Sequence, residues 1–473
     1  MASPLGITIT RGMMVLMLMM MMILLSASSL LAKSLSREQI KRSVFMKGRS
    51  LNDEEGYLKR MAEHPIYSKQ PVSIEGKGPV MSMDQNPFAH SGFFTVNKTV
   101  GGQMYYVFFE AQDGNPNAPI ILWLQGGPGC SSATGMLIEL GPYRINKKTL
   151  ELYPNPNTWN KHYHLLFVDN PLGAGFSHMQ NPQGYIHNEE QMANELYSLL
   201  TQFFEMYKQY QPNPFYVFGE SYAGKYVPSI SYKIANEGFK INLRGFGIGD
   251  GLTHSLVQMT NYDQYAYSLG LIDSKQQLEI QKLQDNVKSL ILQERWFEAT
   301  HAWDSIMSAL NNFTGGINVY DVREYGDYDF NYFLAFLNLP STKTLMHTVG
   351  IQYNDCDAQA YSALYADMSK SVKYKVESLL NRGVRGILYN GQVDLIINMV
   401  QTKWIEEMNW KFSSEFYNAA RKPWTLNQKI VGYVKQYQNL YKVAVNMAGH
   451  LSPMDQPEAL YDMVTRFIEN KPF

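Results

Sequence analysis

The sequence predicts an α/β fold on a mostly parallel central sheet, and three observations carry that expectation. Short apolar runs end at glycine or proline, helical periodicity follows them, and the order then repeats. Ile120 to Leu124 stops at Gly126-Gly127-Pro128-Gly129, Leu165 to Val168 at Asp169-Asn170-Pro171, and Phe215 to Phe218 at Gly219. The composition agrees: 45% hydrophobic residues allow a large core and exclude wholesale disorder.

Taken in order, Phe93 to Val96 and Tyr105 to Phe109 are short aromatic and β-branched runs suited to strands. A helix is expected from about Asn188, because Met192, Leu196, Leu199, Phe203 and Met206 recur at three- and four-residue steps. After the Phe215 strand another helix begins. The alternation lapses at 256–349, where Asp273 or Ser274 can cap an amphipathic helix through Leu283, Val287, Leu290 and Ile291. Trp296 to Leu310 continues the helical pattern, while Asn311 to Tyr332 is rich in Gly, Asn, Asp and Tyr and is expected to be loop. This stretch reads as a helical insertion carried on the sheet. Strand pattern resumes at Ile387 to Tyr389 and Val443 to Val445, before a closing helix through Leu460, Met463 and Phe467.

Before the sheet, Met13 to Leu25 is an apolar run preceded by Arg11 and followed by Ser26-Ala27-Ser28-Ser29 and Ala32. That order reads as a secretory signal peptide over residues 1–32, with an uncleaved anchor as the alternative. Residues 33–85 are polar and carry Lys41-Arg42 and Lys59-Arg60; they suit a pro-segment or an arm packed on the core. The remaining division is core 86–255, insertion 256–349 and core 350–473.

Composition also excludes functions. Lys and Arg number 41 against 42 acidic residues, so no basic field is present to hold nucleic acid. Ten scattered histidines show no metal-binding spacing and only two cysteines exist, Cys130 and Cys356, which excludes a zinc ribbon. The two can form one bridge or remain two buried thiols. No metal or other cofactor is expected.

The strongest chemical signal is Gly219-Glu220-Ser221-Tyr222-Ala223-Gly224, between an apolar strand and a helix. A serine in such a turn has an exposed hydroxyl close to backbone N–H groups. It needs a base, and the base needs an orienting carboxylate. Asp394 lies just beyond the strand Ile387 to Tyr389, and His450 just beyond Val443 to Val445. The order Ser, Asp, His with acid and base after later strands is the order this turn demands. The turn Gly126-Gly127-Pro128-Gly129 lacks the Lys-Ser/Thr of a phosphate cradle. An oxyanion hole fits better, with one N–H from this turn and one from Tyr222.

Five segments together resemble the serine carboxypeptidases, in that family's order and over about Phe88 to the C-terminus. They are Trp123-Leu-Gln-Gly-Gly-Pro-Gly-Cys-Ser-Ser132, Val168-Asp-Asn-Pro-Leu-Gly-Ala-Gly-Phe-Ser177, Gly219-Glu-Ser-Tyr-Ala-Gly-Lys-Tyr-Val-Pro228, Tyr389-Asn-Gly-Gln-Val-Asp394 and Gly449-His-Leu-Ser-Pro-Met-Asp-Gln-Pro457. Gln125, Tyr389-Asn-Gly-Gln392 and Met463-Val-Thr-Arg-Phe-Ile468 are similar to the vitellogenic-carboxypeptidase-like and venom branch.

The resemblance implies an α/β-hydrolase fold with an inserted helical cap, and a secreted or lysosomal enzyme that removes C-terminal residues through an acyl-enzyme. It gives Ser221 the role of nucleophile, His450 of base and acid, Asp394 of orienter, and Gly127 and Tyr222 of oxyanion-hole donors. Gln125, Gly126, Glu139 and Glu220 correspond to the grip on the substrate's free carboxylate, which favours acidic pH if the two glutamates share protons. Gln125 departs from the usual Asn by one methylene, and Leu451-Ser452 departs from the usual pair after the histidine. Acyl transfer, ester hydrolysis or a non-catalytic binding role on the same fold are the rivals. The resemblance also pairs Cys130 with Cys356. Asn97-Lys-Thr99 and Asn312-Phe-Thr314 are glycosylation sequons, each expected in a loop or at a strand edge. Partners are peptide and protein C-termini, with no nucleic acid and no lasting membrane association after signal cleavage; the sequence leaves the oligomeric state open.

Overall fold

The computed structural model describes residues 86–473; the leader and the 33–85 segment lie outside the described residues. In chain order the strands are β1 (Ser91–Asn97), β2 (Gly102–Phe109), β3 (Ile120–Leu124), β4 (Tyr143–Ile145), β5 (Leu152–Pro154), β6 (His164–Val168), β7 (Phe215–Glu220), β8 (Leu243–Gly249), β9 (Arg385–Gly391), β10 (Arg421–Leu426), β11 (Lys429–Tyr437) and β12 (Leu440–Val445). The main helices are α1 (Glu189–Met206), α2 (Ala223–Asn236), α3 (Ser274–Leu292), α4 (Trp296–Thr314), α5 (Lys373–Asn381) and α6 (Pro457–Glu469).

Ten strands form one sheet in the order β1-β2-β6-β3-β7-β8-β9-β12-β11-β10, and β4 pairs with β5 apart from it. The run from β6 to β12 is parallel, while β1 and β2 at one edge and β10 and β11 at the other are antiparallel. This is the α/β-hydrolase arrangement, and the expectation of a mostly parallel sheet holds at its centre.

Alternation along β7 shows how both faces are covered. A methyl group on Gly219 would meet Ala223 and Val227 of α2, so odd positions face that helix. Tyr216 and Phe218 face the other way, against Phe467 of α6 at 6.1 and 5.9 Å between ring centroids. Phe467 also meets Tyr441 of β12 at 5.5 Å. Burying each such side chain is worth roughly 1.5–3 kcal/mol, so α6 acts as a clasp from β7 to β12.

Helix starts follow local chemistry. Asn188 caps α1 by accepting from the Gln191 N–H. Of the two candidates for α3, Asp273 is the cap, and it forms a reciprocal box with Gln276.

Several elements depart from the sequence expectation. β8 carries Gly245, Gly247 and Gly249 in place of an apolar run, because side chains there would collide with neighbours. A methyl on Gly247 would stand 2.1 Å from the Phe218 ring, and one on Gly249 2.3 Å from the Tyr389 ring. The β10–β11 hairpin turns through Asn427 and Gln428, both at positive φ, without the glycine that flags such turns. The stretch from Asn311 is not all loop: α4 runs to Thr314 and ends at left-handed Gly315, and a further helix starts at Asn331. Asn312 accordingly sits in the last turn of a helix instead of a loop.

Cys130 and Cys356 are joined, tying the glycine turn after β3 to the segment before α5 across 226 residues of chain. Among the described residues no helix is long and apolar enough to cross a membrane. The bridge closes a long loop, so replacing Cys356 with serine is expected to cost about 2–5 kcal/mol of stability. Thermal melting with and without reductant checks this; a melting curve indifferent to both changes contradicts it.

Candidate active site

Residues that matter collect at the carboxyl ends of parallel strands: Gln125 after β3, Ser221 after β7, Asp394 after β9 and His450 after β12. In an open parallel sheet that edge faces the crevice left between diverging loops.

The elbow comes first. Ser221 has φ of +63°, a left-handed conformation that costs a β-carbon-bearing residue of order 1–3 kcal/mol. It is held there because the Ser221 carbonyl accepts from Gly224 and Leu252, each at 2.9 Å, while its N–H donates to Gly249 at 3.1 Å. Glycine is required on both sides. A methyl on Gly219 would stand 2.4 Å from the Leu124 carbonyl oxygen, and one on Gly224 2.6 Å from the backbone of Gly251 and Leu252.

The glycine turn presses against this elbow. A methyl on Gly126 would stand 2.5 Å from the Tyr222 nitrogen and 2.7 Å from the Ser221 β-carbon. Only a bare backbone fits, which brings the Gly127 and Tyr222 amides to the mouth of the same cleft.

His450 is buried, and its Nδ1 pairs with Asp394 Oδ2 at 2.8 Å. Asp394 Oδ1 accepts from the Ile397 N–H at 3.1 Å. The other ring nitrogen of His450, Nε2, is buried without a partner among the described residues. The imidazole is therefore oriented from one side and free on the other. A loop that sequence reasoning missed braces both groups. Tyr320 accepts the His450 N–H at 2.7 Å and sets its ring 5.2 Å from the imidazole, and Val319 accepts from Leu395 and Ile396. Arg323 binds Asp321 and Asp455, and Asp455 accepts the Gly449 N–H at 2.6 Å. Nothing in the residue pattern from 317 to 325 announces that role.

Beside Ser221 lies an acid pair. Glu139 ends a π-helical turn, Gly135–Glu139, and Glu220 ends β7; both are fully buried. Gln125 donates from Nε2 to Glu220 Oε1 at 2.6 Å, and its Oε1 accepts from Trp123 Nε1 at 3.0 Å. The extra methylene relative to asparagine is thus taken up by an anchor on Trp123. Arg144 donates to the Glu139 carbonyl, so its charge approaches from the backbone side. Burial pushes the Glu139 carboxyl up to about 7. Burial first, and the Glu139 charge second, hold Glu220 well above the usual carboxylate range.

A cavity of about 180 Å³ joins these groups, lined by Gln125, Gly126, Gly127, Ser221, His450 and Leu451, with Tyr320, Tyr328 and Phe330 as walls. A smaller one of about 40 Å³ also borders Ser221, with Leu252, Met259, Tyr262, Trp303 and Ile396 around it. Every residue expected of the triad, the oxyanion hole, the carboxylate grip and the disulfide, except Glu139 and Glu220, lies on or directly behind these surfaces, and those two meet the larger cavity through Gln125. Asn97 and Asn312 lie elsewhere.

A serine in a strand–helix elbow, with an oriented histidine and a buried acid pair, defines a serine hydrolase of the α/β-hydrolase class built around acidic groups. The chain belongs to the serine carboxypeptidase family, whose profile matches residues 79–470. It is 37% identical over 408 residues to serine carboxypeptidase-like 50 of Arabidopsis thaliana, covering 85% of this chain and 92% of that protein. Against the venom serine carboxypeptidase of Apis mellifera the identity is 35% over 401 residues, covering 81% and 85%. The probable serine carboxypeptidase CPVL of Homo sapiens is 35% identical over 423 residues, covering 86% and 87%. Among solved structures, the prohormone-processing carboxypeptidase Kex1 of Saccharomyces cerevisiae superposes with a TM-score of 0.72 at 25% identity, over 80% of this chain and 91% of that one. The protein is a serine-type carboxypeptidase.

The buried acids set a direction for stability. Burial also pushes Asp169 and Glu195 up to about 7, as it does Glu139. Unfolded, such groups lose their protons near 3.8 (Asp) or 4.5 (Glu); folded, they hold them to about 7. Between those values the native state binds more protons, so stability is fullest in acid and falls as pH rises through 7. Melting temperature is expected to drop by several degrees from pH 5 to pH 8; a rise would contradict the assignment.

Proposed function

We propose that Ser221, His450 and Asp394 form the catalytic triad of this carboxypeptidase, with Glu139, Glu220 and Gln125 holding the substrate's terminal carboxylate. The observation that supports the reading is that Ser221 lines two cavities, one shared with His450 and with Gln125, the donor to Glu220, and one walled by Leu252, Met259, Tyr262, Trp303 and Ile396. The terminal residue, with its carboxylate, occupies the first; the preceding side chain occupies the second.

In this scheme His450 Nε2 takes the Ser221 hydroxyl proton as Oγ attacks the last peptide carbonyl. The Gly127 and Tyr222 N–H groups hold the oxyanion, and Asp394 stabilises the imidazolium through Nδ1. Collapse breaks the C–N bond, the His450 proton goes to the departing amine, and an acyl-enzyme remains on Ser221. A water molecule, deprotonated by His450, then releases the shortened peptide and restores the serine.

The acid pair supports a preference for acidic pH. At least one of the two carboxyl groups must carry a proton to donate to a carboxylate; when both are ionised they repel it. The helical stretch 256–349 serves as the cap over the cleft, with Tyr262 and Trp303 reaching down from it. The leader pattern supports entry into the secretory pathway. Asn312, exposed on its helix, is the more accessible glycan acceptor, since Asn97 is half-buried and donates to Glu195 at 3.1 Å.

Hydrolysis of N-blocked dipeptides is expected to vanish in Ser221→Ala, by at least about a thousandfold. Activity that survives, or release of internal fragments, contradicts the triad or the exopeptidase reading. For substrates with a free C-terminal carboxylate, kcat/KM is expected to fall as pH rises through about 7, where Glu139 gives up its proton. The matching C-terminal amides are expected to lack that fall. Identical profiles for the two substrate types sink the acid-pair assignment.

A further inference from the structure

A further carboxyl group lies beneath the triad, and neither the expected chemistry nor the acid pair uses it. Asp250 immediately follows β8, at φ of +43°, and is fully buried. Its N–H donates to the Tyr389 carbonyl of β9 at 2.8 Å. Its Oδ1 accepts from the Gly391 N–H at 2.6 Å, at the root of the loop that delivers Asp394. Its Oδ2 lies 2.8 Å from the Ser452 hydroxyl, two residues beyond His450. One side chain thus spans the two loops that must place Asp394 against His450.

Where the proton sits follows from counting donors. The Ser452 hydroxyl has one hydrogen and two neighbours, Asp250 Oδ2 and the Gly449 carbonyl at 3.0 Å. A carbonyl can only accept. Both contacts are satisfied together when Ser452 donates to Gly449 and receives from a protonated Asp250. The carboxyl of Asp394 acts on that of Asp250, and two adjacent buried carboxyls share protons before both ionise. Asp394 accepts from the Ile397 N–H and from His450, so it is the better anion of the two. The other titratable groups that face Asp250 are Glu220 at the end of β7, Tyr389 on β9 and Tyr265 from the helix Asp263–Ser268, none of them a cation. Burial, the Asp394 charge and a side-chain contact with Asp394 favour the protonated form, and together they outweigh the Gly391 N–H and the Ser452 hydroxyl, which favour the charged one.

We propose that Asp250 is a positioning residue working as a neutral carboxylic acid, donating to the Ser452 hydroxyl and accepting from Gly391, so that it clamps the Asp394 loop to the His450 loop. The inference rests on the triad assignment above. It requires the shape and hydrogen bonds of the side chain and dispenses with its negative charge. An asparagine at this position supplies an N–H toward Ser452 and an oxygen toward Gly391, whereas alanine supplies neither.

The test compares the full chain with Asp250→Asn, Asp250→Ala and Ser452→Ala, reading fluorophosphonate labelling rate and kcat and KM on a blocked dipeptide, from about pH 5 to about pH 8. Asp250→Ala is expected to lose about tenfold or more in kcat and labelling with KM within about threefold, as displaced catalytic groups do. Asp250→Asn is expected to restore most of that loss, with its activity relative to wild type level or rising as pH rises. An asparagine variant as slow as alanine, an alanine variant within about threefold of wild type, or an asparagine-to-wild-type ratio that falls with pH overturns the proposal. Should Asp250→Ala fail to fold, Ser452→Ala decides: a kcat loss of about threefold or more at unchanged KM supports the clamp, and no loss overturns it. A wild-type chain that the probe does not label at Ser221 would instead mean that the triad assignment is wrong.

Discussion

Four carboxyl groups, those of Glu139, Glu220, Asp250 and Asp394, are shut away from water at one end of a parallel sheet. That desolvation is the constraint around which the site is arranged. A buried carboxylate without compensation is costly, so each acid must find donors, share a proton or stay neutral. Asp394 finds the Ile397 N–H as a donor and His450 as a partner. Glu139 and Glu220 act on one another, with Gln125 donating to the second of them. Both Glu139 oxygens and Glu220 Oε2 are buried without a hydrogen-bond partner among the described residues, so this pair carries the largest uncompensated burial beside Ser221.

The second constraint is steric. The glycine turn and the elbow approach so closely that Gly126, Gly219 and Gly224 have no room for a side chain. This packing places amide groups of two separate strand ends around one point. The strained φ of Ser221 is held by three backbone hydrogen bonds, one within the turn from Gly224 and two with Gly249 and Leu252 at the end of β8, so the turn and the neighbouring strand end carry the strain together. The disulfide fastens the glycine turn from its far side to the segment that precedes α5.

Much of this was legible in the residues. Apolar strands that end in glycine or proline turns gave away β3, β6 and β7, and the proposed triad could be read because each of its members follows a readable strand. The elements that escaped share a reason. β8 is glycine-rich because aromatic rings from β7 and β9 lie across it, a fact about neighbours and not about the segment. The β10–β11 hairpin alternates charged and apolar residues weakly and turns without glycine. The Tyr320 brace and Asp250 act through backbone carbonyls and through loops distant in sequence, which no local pattern encodes. Asp250 was hidden for the further reason that its strand was hidden.

By itself the sequence marked out the candidate residues, their order along the chain, and the parallel core that brings their strand ends to one edge. It could do so because apolar runs, turn glycines and the elbow motif are local consequences of backbone geometry. Only the tertiary structure decided the protonation logic. Whether a carboxyl group works as an anion or an acid depends on burial and on which donors reach it, and those are set by contacts across 50 to 200 residues of chain, as between Asp394 and His450 or Asp250 and Ser452.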